Sequence, residues 1–382
     1  MNSDTTAQRL ARFEGFLAQD PGNPALLQQA VDVALAAGAP ERALAWVDTA
    51  LAAAPGAGAP RNLRALVLLH AGRVDEAVAA WQALAQDDPA AAAEPGLRHN
   101  LAYALMLADR HAEAEPWLDD ATVRALPPAA LLRVRLLHAQ QRHDEAMAFG
   151  RAQLAAGPAD PQLAAHLSVL AIDLEDFDGA EQLAALAPNS PEAQTTLGHV
   201  ALARQDAAAA ERFFAQALDA RAGSARAWLG AGLGALARRD FGAARQRLER
   251  ATELAPSHLG GWIARAWAHL GAQDTAGAHA VLLRAEGIDR NFAETQGSLA
   301  VVAVLQGDTA EARHRMQAAL KLDDQSLSAR LAQAMLLEGS GRPEAARAIV
   351  ERAMAQPMLG GVTLGGAVKG FAQRQPPRPP DA

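Results

Sequence analysis

Cysteine is absent from the 382 residues, which excludes disulfides, thiol nucleophiles and cysteine-ligated zinc and leaves the redox compartment open. Aromatic residues make up only 4%, and runs with the period-two alternation of strands are nearly missing, so a sheet core has little to be built from. Lysine occurs only as Lys321 and Lys369; neither sits beside a cluster that needs it, and the preference for arginine reads as coding bias. No apolar run approaches the length that crosses a bilayer. The polar, amphipathic stretch 1–20 lacks the apolar core of a signal peptide, so the expected localisation is cytoplasmic. Acidic and basic residues are interleaved, the formal net charge is -8, and no basic stripe suits a phosphate backbone; nucleic acid is not expected as a ligand.

What remains is apolar and rich in alanine, with 50% hydrophobic residues, a composition suited to close helix packing. The length exceeds that at which one core usually keeps growing, so several domains or a repeat array are expected. A search for self-similarity decides for the array. The stretch 225–258 carries Trp228, Gly232, Ala244, Leu248, Ala251 and Pro256 at positions four, eight, twenty, twenty-four, twenty-seven and thirty-two. Steps of 34 residues find equivalents without insertion: Leu197, Gly198, Ala210 and Phe214 in 191–224; Trp262, Ala266, Ala278 and Leu282 in 259–292; Leu299, Ala300, Ala312 and Met316 in 293–326; Ala334, Ala346 and Val350 in 327–360. Looser copies start at Pro24 and Gly58, then near Pro95 and Pro127 after a slip of about three residues, and at Pro161, whose second helix Pro188 cuts about one turn short.

These residues resemble the tetratricopeptide (TPR-like) repeat, in which small side chains at positions eight and twenty let helices A and B cross closely and a proline stops helix B. The resemblance implies an all-α, right-handed superhelical solenoid of about ten helix-turn-helix repeats. It divides the chain into a capping helix over 1–23, with Phe13, Phe16 and Leu17 on its inner face; irregular repeats over 24–190; five regular repeats over 191–360; and a Gly/Pro-rich tail over 361–382, expected to be disordered.

Motifs of catalysis weigh little against this frame. Gly230, Gly232 and Gly234 lie inside a helix A with no preceding strand, which favours packing over a dinucleotide fingerprint. The run Gly360, Gly361, Gly365, Gly366 lacks the ending of a phosphate loop. His143, Asp144 and Glu145, and His111 with Glu113, fall in inter-helix turns and read as solvated. Trp46, Trp81 and Trp117 on B helices, and Trp228 and Trp262 at position four, read as core. No catalytic, cofactor-binding or metal-binding residue is expected, and the chain is read as a non-enzyme.

The resemblance also implies that A helices line a concave groove through positions two, five, nine, twelve and thirteen. In the C-terminal half these carry an apolar stripe of Leu229, Leu233, Ile263, Trp267, Val301, Val304, Leu331 and Met335; in the N-terminal half a more polar lining includes Tyr103 and Arg135. Position nine holds no asparagine and the relevant groove positions no lysine, which disfavours the family's clamp for a C-terminal carboxylate. An exposed apolar band needs a cover. The expected function is a protein-binding scaffold or adaptor, extended by family analogy to an assembly factor or chaperone, that holds an apolar peptide or helix of another protein in the groove. The alternative is a structural or regulatory subunit whose groove is buried by self-association as a homo-oligomer or by its own tail.

Overall fold

The computed structural model describes residues 3–158 and 160–355, and every element among them is helical. The tail 361–382, expected to be disordered, lies outside the described residues. Contacts divide the chain into two compact units, Met1–Pro158 and Ala159–Ala382. In the first, α1 (Ser3–Gln19) precedes α2 (Pro24–Ala36) with α3 (Pro40–Ala53), α4 (Gly58–His70) with α5 (Val74–Asp87), a short α6 (Pro89–Ala93), α7 (Pro95–Leu107) with α8 (His111–Ala114) and α9 (Asp120–Ala125), and α10 (Pro128–Ala139) with α11 (His143–Ala156). In the second, A and B helices alternate as α12 (Pro161–Asp173), α13 (Phe177–Ala185), α14 (Pro191–Ala203), α15 (Ala207–Ala220), α16 (Ala225–Ala237), α17 (Phe241–Leu254), α18 (Leu259–Gly271), α19 (Thr275–Ile288), α20 (Ala293–Leu305), α21 (Thr309–Leu322), α22 (Leu327–Gly339) and α23 (Pro343–Ala355). From α14 onward the A helices begin at 191, 225, 259, 293 and 327 and the B helices at 207, 241, 275, 309 and 343, a strict step of 34. Within this unit each A helix packs on its own B helix and on the next A helix, and each B helix on the next A helix, the nearest-neighbour pattern of a solenoid.

Ten A-to-B turns hold one left-handed residue each: Gly38, Gly72, Gly307 and Gly341, and the non-glycines Asp109, Gln141, Glu175, Gln205, Arg239 and Gln273 at φ of 59 to 63°. The following N–H returns to the carbonyl five residues back, as in Asp240 N to Ala235 O at 2.9 Å, closing the helix C-terminus with a Schellman bond. Helix B is then started by different chemistry in the two units. Asp206, Asp240, Asp274 and Asp308 accept from the backbone N–H three residues on, at 2.8 to 3.1 Å. In the first unit Arg73, Arg110 and Arg142 hold the cap position instead, each forked onto Glu76, Glu113 or Glu145 at 2.6 to 2.8 Å. The glutamates stay in the first turn, where the helix dipole favours them.

Small residues set the crossings. A Cβ on Gly232 would sit 2.5 Å from Leu248 Cγ, and one on Gly198 or Gly230 would run into the Phe214 ring. A second periodic device ties the A helices from α14 to α22 to the loops before them. At position four Gln194, Trp228, Trp262, Gln296 and Arg330 all donate a side-chain N–H to the carbonyl six residues back, those of Pro188, Ala222, Pro256, Arg290 and Asp324, at 2.5 to 2.9 Å. The residue type changes and the hydrogen bond does not. The position-four tryptophans thus pack as core does, Trp262 at 7% exposure and Trp228 partly buried, while each indole N–H is satisfied.

Two expectations need correction. On α1 the buried face is Leu10 and Leu17 with Phe13 packed alongside, whereas Phe16 is 49% exposed, because positions 10, 13 and 17 share a helix face and 16 does not. The slip of about three residues before Pro95 takes the form of an extra helix, α6, capped by Asp88. The helix B expected after His111 stops after one turn: Pro116 has no N–H and its ring opposes the carbonyl four residues back, so the chain passes through a 3-10 turn at Glu115–Trp117 and restarts as α9 behind Asp119. Trp117 therefore sits on that turn rather than on a helix B. The break is organised by Arg98, which donates to Pro116 O at 2.8 Å, Asp119 at 2.7 Å and Thr122 Oγ1 at 2.7 Å and lies 5.4 Å from the Trp117 ring centroid.

Candidate functional site

The A helices of the second unit carry the stripe read from the sequence, but unevenly. Leu233 on α16 and Leu331 on α22 are each 37% exposed. Leu229, Ile263, Val304 and Met335 are partly buried: Leu229 leans on the Ala244 and Leu248 cluster and Ile263 on that of Trp262 and Leu282. Val301 is not available to a partner as expected. It is 2% exposed, in a cluster with Ala300 and Ala332 on which Trp267 and Met335 rest. Trp267 rests on this cluster and is itself partly buried.

Two leucines at position thirteen extend the exposed set, Leu305 on α20 and Leu107 on α7, both at 53%. The same groove positions pointed to them. Exposure of leucine is not confined to the A helices, since Leu283, Ile288 and Leu322 at B-helix sites are 44 to 47% exposed; scattered single residues of this kind are ordinary surface.

Beside Leu229 opens a recess of about 400 Å³ lined by Asp173, His199, Arg226 and His258 together with Ala225, Ala251 and Ala255. Arg226 pairs with Asp173 at 3.1 Å across three A helices. His199 stands between, its ring edge-on to Phe214 at 5.2 Å, with Nε2 buried and without a hydrogen-bond partner. Burial, reinforced by the nearby Arg226 charge, pushes the His199 pKa down to about 4, so the ring is neutral at physiological pH. The recess is thus a largely apolar dent with one internally balanced ion pair. His199 was legible at position nine; its meeting with Asp173 and Arg226 around one recess, the three coming from different repeats, was not.

In the first unit Tyr103, at 40% exposure, and Arg135 are exposed on α7 and α10. Asn62 is committed to structure, accepting from the Trp81 indole at 2.7 Å. His143 is not a solvated turn residue: its ring packs edge-on against His138 at 5.2 Å, with Nε2 buried. Among the described residues no group of three or more possible metal ligands converges, and no helix is long and apolar enough to cross a membrane.

Known proteins give the following likenesses. The family model described as tetratricopeptide repeat matches residues 29–95, 229–291 and 298–357. A tetratricopeptide repeat protein from Parabacteroides merdae, in its crystal structure, is similar over 64% of this chain and 98% of its own, with 15% identity and a TM-score of 0.46. The crystal structure of the APC/C hetero-tetramer Cut9-Hcn1 is similar over 91% of this chain and 83% of its own chain, with 12% identity and a TM-score of 0.48. No curated protein matches the chain.

Proposed function

Since the chain is a TPR-like repeat protein, we propose that it is a scaffold that holds an apolar, extended or helical segment of another protein against the A helices of its second unit. What supports this reading is that A helices of consecutive repeats carry half-exposed leucines, Leu233, Leu305 and Leu331, and the partly buried Trp267 and Met335. Apolar contacts of this kind accept a segment without fixed polar register, because dispersion and desolvation are non-directional. An assembly-factor or chaperone role is the finer form of the same proposal.

A photo-reactive phenylalanine analogue at position 233 or 331, irradiated in the native host, tests it. Crosslinks to the same partner protein from both sites, and none from the helix B control at position 283, are expected. Equal crosslinking from all three sites overturns the groove assignment. With that partner in hand, Trp267→Ala weakens binding by more than about 1 kcal/mol, as truncated interface tryptophans typically do.

A further inference from the structure

The recess beside Leu229 follows from the residues at three repeat positions. Ala225 and His258 stand at positions one and thirty-four of their repeat, and His199 at position nine of the one before. One repeat further on the same positions hold Leu259, Phe292 and Leu233. A methyl group and two imidazoles thus leave a hollow of about 400 Å³ where the neighbouring repeat carries bulkier apolar side chains. That volume is near the lower end of small-molecule pockets, about 300 to 1,000 Å³, and suits one side chain rather than a helix.

Its charges cancel, Arg226 against Asp173, but its hydrogen-bonding capacity does not. Arg226 gives one N–H to Asp173 at 3.1 Å and has no other acceptor among the described residues. His258 Nδ1 accepts from the Gly261 N–H at 3.1 Å, so the ring keeps its proton on Nε2 as a donor. His199 Nε2 is buried without a partner, and a buried polar atom left unmatched is costly. A carboxylate entering here would share Arg226 with Asp173 and meet a like charge. An aliphatic chain or a bare aromatic ring would leave the donors unmatched. A phenol does neither, because its ring covers apolar wall and its hydroxyl both accepts and donates.

We propose that this recess is a socket for a tyrosine side chain of the segment that the scaffold holds, with the ring against Leu229 and Ala251 and the hydroxyl among Arg226, His199 and His258. The inference rests on the scaffold reading and adds the residue that sets the segment in register. Apolar contacts along the A helices fix no register, whereas one hydrogen-bonded ring in one socket does.

The side-chain analogues p-cresol, toluene and propionate test this on the full chain without any partner, read through the NMR ring signals of the 11 histidines in selectively labelled protein. The signals of His199 and His258 are assigned by their loss in His199→Phe and His258→Asn. p-Cresol is expected to shift both and to saturate at a concentration at least tenfold lower than toluene or propionate, because a site built on hydrogen bonds discriminates strongly against guests that lack the matching group. Ala225→Leu, which installs the residue that the next repeat carries as Leu259, is expected to abolish the shifts and keep the melting temperature. Propionate saturating as early as p-cresol makes the recess an anion site, and toluene doing so shows that the hydroxyl is not read; either result overturns the proposal, as do shifts that persist in Ala225→Leu. Crosslinks from positions 233 and 331 in a protein whose recess takes none of the three probes overturn the socket and leave the scaffold reading in place.

Discussion

Where the repeat demands a small residue the substitution cost is set by geometry rather than by residue type. Gly232→Leu forces a branched side chain into the space of Leu248, whose Cγ is 2.5 Å from where a Cβ would be. A loss on the order of 1–3 kcal/mol in urea denaturation is expected, in the range of overpacked cores; an unchanged midpoint would remove Gly232 from the crossing. His199 gives a pH signature. Its folded pKa of about 4 lies below the ordinary 6.5, so between these values the unfolded chain binds the proton and the folded chain resists it. Stability is full above pH 6.5 and declines as pH falls towards 4, by roughly 1–3 kcal/mol at about 1.4 kcal/mol per unit. His199→Phe flattens this part of the profile, measured as urea midpoints at pH 7 and pH 5; a profile as steep as that of the parent assigns the decline to other groups. At this scale the repeat positions were readable from the residues, since positions eight and twenty require small side chains whatever the partner. Val301 was not, because position nine is exposed or covered according to how far the neighbouring Trp267 reaches, and one repeat's pattern does not contain its neighbour's side chain.

Helix starts followed from local chemistry wherever proline, aspartate or serine marks them, which is why Pro191 and Ala225 fall where the period put them. The broken helix B after His111 was missed although Pro116 is in plain view, because the alanine and leucine at the expected positions are present and only the missing N–H vetoes them. Arg98 replaces the lost regularity with four polar contacts and a stacked ring. Arg98→Met keeps the stem and removes the hydrogen bonds to Thr122, Asp119 and Pro116, so a destabilisation of the first unit by about 2–3 kcal/mol is expected. Its first sign should be faster hydrogen exchange in α9; exchange in α9 unchanged by the variant would mean that Asp119 holds that helix by itself. In the parent protein, the stretch from α7 to α13, with its broken helix B and the nine-residue α13, is expected to open before α14 to α22, because opening in a nearest-neighbour array follows the weakest interfaces. Uniform protection along the chain would contradict this.

For the molecule, the division into two units at 158 and 159 has a chemical counterpart in how helix B is started. In the first unit three helix B starts carry exposed arginine-glutamate forks, whose coulombic part salt screens, and in the second five carry aspartates bonded to backbone N–H groups. Raising the salt concentration from 0.05 to about 0.5 M is therefore expected to lower the melting temperature of an isolated 3–158 fragment more than that of 160–382, if each folds alone; equal shifts would show that the forks contribute nothing measurable.

The position-four hydrogen bond makes repeats interchangeable parts. Its acceptor is always the backbone six residues back, so it is indifferent to which repeat precedes. Excising 259–292 would join His258 to Ala293 and leave Gln296 six residues after Pro256, whose carbonyl it inherits from Trp262. Such an excision conserves this hydrogen bond at the new junction, while Leu248 meets Ser298 and Val302 in place of Ala264 and Ala268. An excised chain is expected to melt cooperatively, with a urea m-value reduced in proportion to the surface lost.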